Sequence, residues 1–131
     1  MLPLLLKACP SFTEKWEEHK REWKEEEVGY LPYLALDELA QHLIRLYERN
    51  DMAEFSDIFE IVERLHTEGE HYVREAATIG LLEGIQNHLA NSGKDTEVFR
   101  GYLLPVSAKW WDQLNLFFNN KIKYVGETID K

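Results

Sequence analysis

A chain of 131 residues suits one domain, and 44% hydrophobic with 12% aromatic residues is enough for a sizeable core. The 30% of charged residues, and the lack of any apolar run near the roughly 20 residues needed to span a bilayer, exclude a membrane-buried chain. The net charge of −9 is unevenly placed. Residues 51–93 hold nine acids (Asp51, Glu54, Asp57, Glu60, Glu63, Glu68, Glu70, Glu75, Glu83) against Arg64 and Arg74, which disfavours nucleic acid there and favours a basic partner.

The start, Met1 to Cys9, does not read as a lipoprotein signal: the apolar part is short, no basic region precedes it, and Lys7 stands where a small residue is wanted. Cys9 is the only cysteine, so no internal disulfide forms and a reducing cytoplasm is the expected location, with a disulfide-free secreted chain still allowed. Pro10-Ser11 opens a helix, with Ser11-Phe-Thr-Glu14 as a capping box and Phe12, Trp16, His19 and Trp23 as one narrow stripe. Glu25 to Gly29 ends it. A second helix runs over about 33–49, with Leu36, Leu39, Ala40, Leu43, Ile44, Leu46 and Tyr47 on a wide apolar face, and Asn50-Asp51 breaks it.

Asp51-Met-Ala-Glu54 reads as the capping box of helix 52–66. Its core stripe is Phe55, Ile58, Phe59, Val62 and Leu65, which turns Asp57 and Glu60 to water, with Glu54 and Glu63 flanking them. Helix 70–90 is apolar over most of its circumference and is therefore expected at the centre. Its small-residue strip, Ala76, Ala77, Gly80 and Gly84, allows a neighbouring helix to come close. After the loop Asn91 to Asp95, a short helix carries Val98, Phe99, Tyr102 and Leu103. Ser107 caps a last helix with Trp110, Trp111, Leu114, Phe117 and Phe118, and a polar tail follows from Asn119.

Helix 52–66, a short turn, and then Glu70-His-Tyr-Val73-Arg74-Glu-Ala76-Ala77 with Gly80-Leu81-Leu82 resemble a HEAT-type helical repeat over residues 51–90, carried by Val73, Arg74 and Ala77. The whole chain also resembles a group of small bacterial all-helical proteins that share an aromatic first helix and this Val-Arg helix. The helical periods give an all-α domain of five to seven helices spanning 1–131; the resemblance supports that fold with α-α superhelix character and implies no activity.

Candidate chemistry is sparse. Glu63-x-x-His66 and Glu68-x-x-His71 have the spacing of helix-borne carboxylate metal sites, but such sites need the two motifs on facing helices, and Gly69 sets these side by side at one elbow. Glu38 and His42 lie one turn apart without a nucleophile and read as a surface pair. His88 near a helix end suits the dipole there. Gly80-x-x-x-Gly84 lacks the Lys-Ser/Thr of a phosphate loop. Trp110 and Trp111 follow a core stripe, and one of them at a rim would be an interface anchor.

The expectation is therefore a non-enzymatic module, without cofactor, that binds another protein with a basic surface. Glu54, Asp57, Glu60, Glu63, Trp110 and Trp111 are its contact residues. An acidic immunity or inhibitor protein that neutralises a basic bacterial toxin is the concrete form. The alternatives are a metal protein or enzyme built on the Glu63/His66/Glu68/His71 elbow, and a self-assembling scaffold module.

Overall fold

A computed structural model describes residues 1–20 and 31–118, apart from the side chains of residues 19, 20, 31, 32 and 118. The expectations for the His19 side chain, Trp23, the helix end at 25–29 and the tail from Asn119 lie outside the described residues. The expected all-α domain of five to seven helices is present. Seven α-helices follow one another among the described residues: α1 (Leu2–Ala8), α2 (Pro10–Lys20), α3 (Leu31–Glu48), α4 (Phe55–Glu68), α5 (His71–Glu75), α6 (Glu83–Asn91) and α7 (Pro105–Phe118). A π-helical segment, Ala76–Leu82, joins α5 to α6, and two 3-10 turns, Thr96–Val98 and Arg100–Tyr102, precede α7. No strand occurs among the described residues.

Two helix stops have one cause. Asn50 has φ 59° and Gly93 φ 69°, the left-handed conformation that Asn and Gly adopt most readily. At each, the following amide reaches back over the last turn (Asp51 N–H to Leu46 C=O, Lys94 N–H to Leu89 C=O), while the left-handed residue itself donates to Tyr47 or Ala90. Both are Schellman caps, which satisfy carbonyls that the helix end orphans.

The core lies between α3 and the 71–91 helix. Leu36 faces Gly80 and Ala40 faces Gly84, the same sequence separation in both pairs, so the two helices run side by side in the same direction. Further along, Lys94 pairs with Glu48 at 2.6 Å. The small-residue strip is the seam. A Cβ on Gly80 would stand 2.7 Å from Leu36 Cδ1, inside a fully buried contact. Gly80→Leu should therefore lower stability by about 1–3 kcal/mol through overpacking. A denaturant midpoint equal to the parent's would show that the seam has slack.

Around this pair, α4 packs on α1, on α5 and the π segment, and on α7, while α2 leans on α1 and α3. Phe99, fully buried, comes up from between the two 3-10 turns to meet Tyr47, Phe55 and Phe59, and Tyr102 closes the cluster against Phe55 and Phe59. The single short helix expected over these residues is thus two separate turns, because Phe99 and Tyr102 must both reach α4. Helix α1 was not expected; Pro3 suits its first turn, and Leu5 and Cys9 bury completely.

Candidate partner-binding site

The start of α4 decides which acids face a partner. The helix buries Phe55, Ile58, Phe59, Val62 and Leu65, so Ser56, Asp57 and Glu60 project to solvent. Asp57 sits in the first turn, where a carboxylate complements the helix dipole. Asp57 and Glu60 make no hydrogen bond or ion pair among the described residues.

The flanking acids behave differently. The sequence expectation placed Glu54 and Glu63 on the binding face, but each is tied by hydrogen bonds to another helix of the fold. Glu54 does not cap its own helix. It accepts from the Ser11 amide at 2.9 Å and, through a short bond, from the Ser11 hydroxyl. Glu63 accepts from the amides of Val106 (3.0 Å) and Ser107 (2.8 Å) and from the Ser107 hydroxyl (2.9 Å). Partial burial pulls the Glu63 carboxyl upward, but these three donors, with His66 nearby, outweigh it and lower its pKa. Helices α2 and α7 both begin with proline and carry no acid in the first turn, so α4 and its N-cap supply one to each. The expected box between Ser11 and Glu14 is replaced by Glu54 from the N-cap of α4, and the Ser107 cap by Glu63.

The two tryptophans separate. Trp111 is fully buried and donates its indole N–H to Glu97 at 2.8 Å, so it cannot serve as an anchor. Trp110 is half-buried against the core and does not line the hollow described next.

That hollow adjoins the acid face. It is open on one side, holds about 390 Å³, and is lined by Ser56, Phe59, Glu60, Tyr102 and Leu104. Phe59 is the buried floor, half-buried Tyr102 lies nearly parallel to it (centroids 6.3 Å, planes 18° apart), and Leu104 is a 40% exposed rim. Acids and an apolar cup thus share one surface of α4. Periodicity finds the acids; the cup was missed because its wall comes from a 3-10 turn about forty residues away.

Two Glu–Ser–His clusters are the other polar constellations. His42 was expected at the surface with Glu38; instead it is 1% exposed, and its Nε2 lies 2.8 Å from Ser11 Oγ. Ser11 gives its hydroxyl proton to Glu54, so His42 Nε2–H donates to Ser11 and Nδ1 is left a bare, buried acceptor. A serine nucleophile needs the reverse: imidazole as acceptor, with its far nitrogen held by an acid. Burial first, then Lys15 and Arg45, lower the His42 pKa to about 4, which makes it a poor base at neutral pH. The second cluster is sealed. Ser107 donates to Glu63, His66 Nδ1 lies 3.0 Å from Ser107 Oγ, and His66 Nε2 lies 2.9 Å from Thr78 Oγ1 on the π segment. His66 is therefore buried and satisfied rather than solvated at an elbow, and burial lowers its pKa to about 4. Glu68 pairs with Arg64 and His71 with Glu75, whereas Glu63 and His66 share Ser107, so the four elbow residues do not turn to one common point. His88, expected to face the α6 carbonyls, pairs with Asp37 at 2.8 Å.

A family model described as a domain of unknown function, DUF7674, matches residues 2–119. The chain belongs to the DUF7674 family. The DUF7674 match runs from α1 through α7, so the acid face, the hollow and both Glu–Ser–His clusters lie within the family domain. No curated protein and no solved structure matches the chain. No helix of the described residues is long and apolar enough to cross a membrane.

Proposed function

We propose that this domain is a non-enzymatic protein-binding module that meets a basic partner through the exposed face of α4. One observation carries the reading: the unpaired acids Asp57 and Glu60 stand beside an open apolar cup, so charge for steering and surface for anchoring adjoin. The remaining acids of the expected set hold helices. An inhibitor or immunity protein that shields a bacterial cytoplasm from a basic toxin is the concrete form of this role. The parallel run of α3 beside the 71–91 helix supports HEAT-like character, since second helices of successive units stack that way.

The test begins with a partner captured from the host and identified. Association is then measured for Asp57→Lys/Glu60→Lys, with Glu54 and Glu63 left intact. Reversing two steering charges should slow association about tenfold at low salt and weaken its salt dependence. An association rate that ignores both the reversal and added salt would overturn the reading.

A further inference from the structure

The cup beside the acid face has a chemistry of its own. Three of its lining groups carry oxygen acceptors: the Glu60 carboxylate and the Ser56 and Tyr102 hydroxyls. None has a side-chain hydrogen bond among the described residues. Its floor and wall are the near-parallel Phe59 and Tyr102 rings. Acceptors thus ring an aromatic surface, and no lysine or arginine lines the hollow to satisfy them.

Resting on the binding role above, we infer that this hollow receives a single arginine side chain of the basic partner. A guanidinium is planar, carries five N–H donors and no acceptor, and pairs with a carboxylate through two parallel bonds. Glu60 takes that fork, and the Ser56 and Tyr102 oxygens accept outward-pointing N–H groups. The flat cation lies against the Tyr102 ring, a favourable cation–π arrangement, and its methylene stem covers Leu104. A lysine ammonium offers three donors and no flat face, so it leaves an acceptor unpaired and cannot stack on the ring as a guanidinium does. A neutral or acidic side chain leaves Glu60 without a counter-charge. The about 390 Å³ of the hollow lies at the small end of ligand-sized cavities, suited to one side chain and not to a large cofactor.

The experiment is an NMR titration of the intact chain with Nα-acetyl-arginine amide at low salt, beside the lysine and citrulline analogues. The arginine compound should perturb resonances of Ser56, Phe59, Glu60, Tyr102 and Leu104 before those of other surface acids. The lysine compound should bind about fivefold more weakly, and citrulline, which keeps the shape and loses the charge, should not saturate. Glu60→Gln should abolish the site-specific shifts with an unchanged denaturant midpoint, and Tyr102→Phe, which keeps the ring, should weaken binding a few-fold. Citrulline or lysine binding equal to arginine, shifts scattered over every exposed acid, or indifference to Glu60→Gln would each overturn the inference. The two readings fail separately. If the arginine compound does not bind while charge reversal still slows the partner, the cup is ruled out and the acid face stands.

Discussion

Taking the protein from pH 7 to pH 4 should remove about 3 kcal/mol of stability for each of two histidines, enough to unfold a domain of ordinary stability. His42 and His66 are both buried, and both pKa values fall from 6.5 to about 4. Burial is the first cause in each. Lys15, Arg45 and Arg49 add to it at His42, opposed by Glu54, while Glu63 and a bond with the Val62 backbone oppose it at His66. A histidine with a depressed folded pKa is neutral in the fold and charged in the unfolded chain below pH 6.5. The unfolded state then binds more protons, so stability falls as pH drops from 6.5 through 4. Glu63 acts in the same direction lower down: its folded pKa is below the usual 4.5, so its contribution is lost as pH falls further. Urea melts at pH 7, 5.5 and 4 test this. His42→Gln keeps a donor for Ser11 and cannot titrate, so it should remove about half of the slope between pH 6.5 and 4. A flat parent midpoint across that window would mean that both rings titrate as they do in water.

These histidines mark where sequence reading stops. The apolar faces of α3 and α4, the glycine seam of the 71–91 helix and the stops at Asn50 and Gly93 were legible, because each follows from local period or local backbone preference. A histidine one turn from an acid looks like a surface pair by the same rules. What meets His42 is Phe12 and Ser11, brought from α2, and what satisfies His66 is Ser107 from α7 and Thr78 from a π segment. No local pattern announces the π segment: its residues Ala76–Leu82 carry the same apolar spacing that an α-helix would. Adjacent tryptophans were ambiguous for a geometric reason. Neighbours on a helix point about 100° apart, so one buries and the other rides the edge, and only the tertiary bond from the Trp111 indole N–H to Glu97 marks Trp111 as the inner one. The candidate site was half legible on the same grounds: Asp57 and Glu60 follow from α4 alone, whereas the cup needs Tyr102 and Leu104.

Glu63→Ala should cost about 2–4 kcal/mol, whereas Glu60→Ala, three residues earlier on the same helix, should stay within about 0.5 kcal/mol. The contrast follows from what each carboxylate touches. Removing Glu63 strips the acceptor from two amides in the first turn of α7 and from the hydroxyl of Ser107, a residue that is fully buried and cannot turn to water instead. Losing a helix cap is worth about 1 kcal/mol, and leaving a buried donor unmade adds a similar or larger amount. The damage also passes to His66, whose Nδ1 is held by that same hydroxyl. Glu60 has no such donors. Two measurements separate a lost cap from general loosening: urea melts give the size of the loss, and amide exchange locates it. Exchange at Val106 and Ser107 should quicken selectively in Glu63→Ala, with the α3 seam still protected. Equal melts for the two alanine variants would place the Glu63 carboxylate in water, return it to the binding face, and remove the reason for keeping it out of the charge-reversal set.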